Sequence, residues 1–123
     1  MQNNPVIWFE LYVDDMKRAR DFYESVFGWI LAKIDTPGLE MWGFPMDQNK
    51  VGAGGALVKM EGVSPGGSGT LVYFMCDDCS VEARKFASHG GKIARDKFSI
   101  GQYGFIAMVA DSEGNTVGLH SMK

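Results

Sequence analysis

Histidine is scarce in this sequence: only His89 and His120 occur among 123 residues. A facial metal site of two histidines and a carboxylate therefore cannot be assembled without His89. His89 stands beside Gly90 at the end of a helical pattern, where a histidine usually serves the helix terminus and its dipole. Cysteine is as sparse. Cys76 and Cys79 form one C-x-x-C, which supplies two of the four ligands a structural zinc needs. The two aspartates between them oppose thiolate formation, which discounts a redox role. No apolar run approaches the length of a membrane span, and MQNNP has neither the basic start nor the apolar core of a signal peptide, so a cytoplasmic protein is expected. The net charge is −3 and the basic residues are scattered, which argues against a nucleic-acid partner. The glycine stretches Gly52-Ala53-Gly54-Gly55 and Gly66-Gly67-Ser68-Gly69 lack both a following Lys-Ser/Thr and the full dinucleotide fingerprint. The nucleophile elbow G-x-S-x-G is absent.

What is present is a strand, a tight turn and a helix, in two copies. From Trp8 to Val13 the side chains alternate, with Phe9, Leu11 and Val13 on one face and Trp8, Glu10 and Tyr12 on the other. After Asp14-Asp15 the period changes. Met16, Ala19, Phe22, Tyr23, Val26 and Phe27 recur at three- and four-residue steps, one face of a helix that either aspartate can cap and Gly28 ends. That helix face should pack on the Phe9 face of the strand, leaving Trp8, Glu10 and Tyr12 for function. Further strands are expected over 29–34, 39–44 and 53–60, followed by a flexible linker over 61–69. The pattern then restarts with a strand over 70–76, Asp77-Asp78, a helix over 80–89, and strands over 92–95, 103–110 and 115–120. An offset of 63 takes Asp14 to Asp77, Tyr23 to Phe86, Gly28 to Gly91 and Gly55 to Gly118. The fold class is α+β: two βαβββ modules, about 5–60 and 70–123, in one domain over 1–123.

Three stretches, LYVDDMKRARDFYESVFGW, MCDDCSVEARKFASHGGK and VADSEGNTVGLH, resemble the vicinal oxygen chelate superfamily of glyoxalase I, bleomycin-resistance proteins and extradiol dioxygenases. The Gly-Leu finish is similar to the branch of predicted lactoylglutathione-lyase-related enzymes. The resemblance implies sheets curled into half-barrels around a cleft, and a homodimer. It also implies His and Glu metal ligands on the first and last strands of each module. Carried over residue by residue, those positions hold Trp8, Gly55, Leu71 and Gly118, none with a metal-binding side chain, so no metal cofactor is expected; a divalent metal stays open only through a carboxylate-rich site, which Glu10 and Glu40 alone are placed to supply.

Glu10 is the leading candidate for catalysis. A carboxyl among aromatics and away from water is favoured in its neutral form, which suits general acid–base work; the alternative is a wet face or an ion pair at a dimer interface. His120 shares the face of Gly118 and is the candidate proton carrier, or else an exposed histidine near the chain end. Trp8, Tyr12, Trp42, Leu71, Tyr73, Met75, Tyr103 and Phe105 are the candidate ligand-binding wall, since aromatic area gives affinity and Tyr hydroxyls give orientation; each is also a plausible core residue. Three functions remain open. One is a metal-free binder of a small apolar or aromatic molecule. The second is a metal-independent isomerase or lyase using Glu10. The third is a non-catalytic interaction or regulatory subunit.

Overall fold

Asp15 and Asp78, each the second aspartate of its pair, start the two helices. Asp15 accepts a hydrogen bond from the Arg18 backbone N–H at 3.0 Å and opens α1 (Met16–Phe27); Asp78 accepts one from Ser80 N–H at 3.0 Å and opens α2 (Cys79–Ser88). Both satisfy donors that a helix's first turn leaves unpaired. Gly28 ends α1 at φ 74°, a left-handed conformation that costs a residue without Cβ little. His89 follows α2, and its Nδ1 donates to the Lys85 carbonyl at 2.8 Å, the helix-terminus role its sequence position suggests.

The computed structural model describes residues 4–67 and 69–123. Residues 1–3, and Ser68 of the expected linker, lie outside the described residues. The chain divides into two compact units, Trp8–Leu71 and a second comprising Val72–Lys123 with the segment ending at Ile7. The architecture is α+β, one βαβββ module per unit.

In the first unit β1 (Val6–Tyr12), whose first two residues belong to the other unit, pairs parallel with β4 (Gly54–Lys59). β3 (Glu40–Gly43) pairs antiparallel with β4 and with β2 (Ala32–Ile34), giving the order β2-β3-β4-β1. Met16, Leu31, Phe44 and Leu57 form the core beneath α1, with Phe9, Leu11, Val13, Ala19 and Tyr23 against it. Phe22, Val26 and Phe27 do not join it: all three are more than half exposed, so the apolar stripe of α1 is wider than the surface it covers.

In the second unit β5 (Thr70–Met75), whose first two residues belong to the other unit, pairs parallel with β8 (Thr116–Ser121), and β7 (Phe105–Ala110) lies antiparallel between β8 and β6 (Lys92–Ser99). Val72, Phe74, Cys76, Ala107, Val109, Val117 and Leu119 pack beneath α2 with Cys79, Ala83 and Phe86.

The two modules are not in perfect repeat. Glu10 is opposite Ala56 in one and its equivalent Tyr73 is opposite Gly118 in the other. The first strands and helices superpose at the offset of 63, but the last strands superpose as 56 on 118, an offset of 62.

Asp78 also bonds the Ser80 hydroxyl at 2.7 Å and Lys97 Nζ at 3.0 Å. The Ser80 hydroxyl first, then the Lys97 ammonium, hold its carboxyl at about 2, below the ordinary 3.8. A depressed carboxylate stabilises the fold above its unfolded value and loses that contribution as pH falls through its folded one. Asp78→Asn keeps the cap and loses the charge. Its deficit in urea midpoint should be constant at pH 7 and 5 and shrink as pH falls from 3.8 to about 2. A deficit that is unchanged at pH 2 would contradict this.

Candidate functional site

The pleat of β1 divides its residues as the alternation predicts. Phe9 and Leu11 face α1, while Trp8, Glu10 and Tyr12 share the other face with Met41, Ala56 and Val58. Residues two apart on a strand stand on one face roughly 7 Å apart, so long side chains can meet. Here they do. Trp8 Nε1 donates to Glu10 Oε2 at 3.1 Å, and the Tyr12 hydroxyl donates to Glu10 Oε1 at 2.6 Å. Glu10 is only 7% exposed. The carboxyl is fixed by a donor on each oxygen and aligned with the phenol. The face around it is filled: Ala56 and Val58 are fully buried beneath Trp8, Tyr12, Ile34, Leu39 and Met60.

Trp42 is not on that face, a correction to its expected place in the binding wall. It pairs with Leu57 and packs in the core beneath α1. The Arg20 guanidinium of α1 lies 3.5 Å from its ring centroid, and Trp42 Nε1 donates to Glu40 Oε2 at 3.1 Å. A shift of one residue in register moves every side chain to the opposite face.

Gly55 needs the same correction. A Cβ on Gly55 would collide with the Phe9 ring on the α1 side, whereas one on Gly54 would meet Trp8 and Met46. The position beside Trp8 is therefore 54. Substituting it changes nothing about donors: Trp8, Gly54, Leu71 and Gly118 offer no metal-binding side chain. The space a side chain would need at 118 holds the Tyr73 ring. Among the described residues no three His, Cys, Asp or Glu side chains converge.

The second unit presents a different face. Val72 and Phe74 point to α2, leaving buried Tyr73 and half-exposed Met75 opposite. Leu71, the last residue of the first unit, is buried. His120 stands opposite Met75 on one side and Ile106 on the other, and its Nε2 donates to the Tyr103 carbonyl at 2.6 Å. The strand expected over 103–110 begins at Phe105; Tyr103 lies in a 3-10 turn, Gly101–Tyr103, before it and contributes its carbonyl to His120. Phe105 needs a correction to its place in the binding wall. Phe105 pairs with Ser121 and packs toward α2. The residues that do share the His120 face are Ile106 and Met108 of β7, with Phe98 and Arg95 paired to them from β6. The alternation in FIAMVA carries this signal, but only the register says which parity faces out.

Cys76 and Cys79 are free thiols within the α2 core. Burial first, then the Glu82 carboxylate, push Cys76 up to about 12, so the cause is not the intervening aspartates. Cys79 is fully buried. At pH 8 iodoacetamide should label the native protein on the order of a thousandfold more slowly than the unfolded chain. Rapid labelling of native Cys76 would contradict the placement.

A family model described as Glyoxalase/Bleomycin resistance protein/Dioxygenase superfamily matches residues 6–119. The chain belongs to that superfamily. Among its relatives, "Putative glyoxylase CFP32" of Mycobacterium tuberculosis is 29% identical over 114 residues, covering 91% of this chain and 43% of the relative. "Anthracycline biosynthesis protein DnrV" of Streptomyces peucetius is 25% identical over 118 residues, 87% of this chain and 43% of the relative. The chain thus spans less than half the length of these curated relatives. In fold it resembles the solved hypothetical protein BH1468 of Bacillus halodurans (TM-score 0.74, 14% identity, 99% of this chain and 96% of the other). It also resembles methylmalonyl-CoA epimerase of Mycobacterium tuberculosis (TM-score 0.67, 15% identity, 97% and 88%). Both likenesses concern the glyoxalase-like fold alone. Among the described residues no helix is long and apolar enough to cross a membrane.

Proposed function

We propose that this glyoxalase-like protein binds a small apolar or aromatic molecule without a metal ion, on the sheet face that carries His120. The observation behind this reading is the contrast between the two faces. The Trp8–Glu10–Tyr12 face is filled by its own side chains, whereas Met75 is 46% exposed and Ile106, Met108 and His120 are only half-buried. A ligand needs exposed apolar area with a few polar groups among it, and the second face offers that at Met75, beside Ile106, Met108 and His120. Two measurements on tag-free protein test the reading. Elemental analysis should find metal well below one per chain, and a thermal-shift panel of flat aromatic compounds should raise the melting temperature. Near-stoichiometric metal, or a panel without effect, would overturn it.

A metal-independent isomerase or lyase is the second reading. Glu10 favours it, as a buried carboxyl aligned with a phenol, and so does the fold likeness to methylmalonyl-CoA epimerases. Against it, an acid–base group must come within about 3 Å of the proton it moves, and Glu10 is enclosed. Incubating methylmalonyl-CoA with the protein in D2O decides: deuterium at the carbon between the two carbonyls, lost in Glu10→Gln, would establish this reading over the binder.

We infer a homodimer from α1. Phe22, Val26, Phe27 and Ile30 leave an apolar surface larger than scattered single residues would give. Relatives more than twice the length of this chain have room for a second such module in the same polypeptide. Sedimentation should give a dimer that Val26→Glu converts to monomer; a wild-type monomer at every concentration would exclude it.

A further inference from the structure

The register of the second unit sets two rows of side chains across its open face. Arg95, Met108, Gly118 and Tyr73 lie on one, and Phe98, Ile106, His120 and Met75 on the next. Gly118 and Tyr73 are buried, but no member of the second row is; neighbouring strands are about 4.8 Å apart, so that row spans roughly 14 Å, the length of a small amphipathic molecule. At one end the Arg95 guanidinium lies 3.5 Å from the Phe98 ring centroid. Arg95 is exposed, and among the described residues its side chain forms no hydrogen bond or ion pair. The neighbouring carboxylate, Asp96, accepts the Lys97 backbone N–H at 2.8 Å, and Lys97 is itself paired with Asp78. Lys92, opposite Ala110, adds a second exposed cation on the same edge strand. Stacking on a ring holds a guanidinium in one plane with its N–H donors pointing outward along the edge, an arrangement matched to the two oxygens of a carboxylate.

We propose that this face recognises a small organic acid: the Arg95 fork, held on Phe98, takes the carboxylate, and Ile106, Met108 and Met75 take an apolar or aromatic body beside His120. The proposal rests on the ligand-binding reading above and narrows its ligand to an anion.

The test is calorimetric titration of tag-free protein at pH 7.5 and low salt with phenylacetate, 3-phenylpropionate, 4-phenylbutyrate and hexanoate, each against its neutral amide. At least one acid should bind tenfold or more tightly than its amide. Arg95→Gln should abolish that preference, and Phe98→Leu should reduce it several-fold by releasing the guanidinium. Bound acid should shift the His120 ring and Met108 methyl resonances. Amides that bind as well as the acids, or an acid preference that survives Arg95→Gln, overturn anion recognition and leave the ligand-binding reading standing. If neither acids nor amides bind and the aromatic panel also fails, both fall.

Discussion

Replacing Gly104 with alanine is expected to destabilise the protein by about 2–4 kcal/mol, the sum of a disallowed backbone conformation and a steric collision. Gly104 sits at φ 102°, ψ −133°, a region essentially closed to residues with a Cβ. An added Cβ would stand 2.5 Å from the Ser121 carbonyl oxygen and 3.3 Å from Met122 Cα, backbone atoms that cannot rotate away. The same residue closes the 3-10 turn, with its carbonyl accepting from Ile100 N–H at 2.8 Å. The turn in turn offers the Tyr103 carbonyl to His120, so the substitution should also disturb the His120 ring resonances. Gly101 is the internal control. It has φ 75° but nothing within 4 Å of a Cβ, so Gly101→Ala should cost only about 1 kcal/mol. Equal losses for the two variants in urea denaturation would show that the collision at 104 is relieved.

Glu10→Ala should cost about 2–4 kcal/mol. It removes a carboxyl 7% exposed that accepts from Trp8 Nε1–H and the Tyr12 hydroxyl; each hydrogen bond to a charged group is worth about 1.5–3 kcal/mol. Glu10→Gln should be milder, about 1–2 kcal/mol, because its amide oxygen still accepts one bond while its NH2 faces the other donor. The order Ala worse than Gln is the diagnostic. If both cost the same, lost charge rather than lost hydrogen bonding governs the site; if Ala costs under about 1 kcal/mol, water replaces the carboxyl and the enclosure described for Glu10 is wrong.

What the sequence made legible was local. Asp15, Gly28 and the alternation through Phe9, Glu10 and Leu11 act within a few residues, and each is where the pattern put it. Residues whose position depends on a partner strand were less readable. Trp42 and Phe105 stand on the helix side of their sheets because the face of a strand is set by its pairing with Leu57 or Ser121, far along the chain. Gly55 was displaced by the one-residue change in offset between helix and last strand, which no local signal marks. The strand expected over 92–95 continues to Ser99, through two irregularities in pairing that interrupt the alternation on which strand recognition depends. Helical periodicity overstated the buried face of α1, since Phe22 and Val26 follow the 3.6-residue repeat without finding a surface to cover.

Those irregularities in β6 bear on solubility as well. A sheet edge offers unpaired N–H and C=O groups to any passing strand, and long flat edges are where chains add to one another. In the first unit the edge strand β2 is three residues long. In the second, β6 is longer, but its pairing slips between Ile93 and Arg95 and again between Arg95 and Phe98, in a segment bearing Lys92, Arg95, Asp96 and Lys97. Bulges twist an edge out of register with an incoming strand, and charge repels a second copy. A chain with so many apolar residues is thereby guarded against fibril growth by the two strands that contribute least to its core.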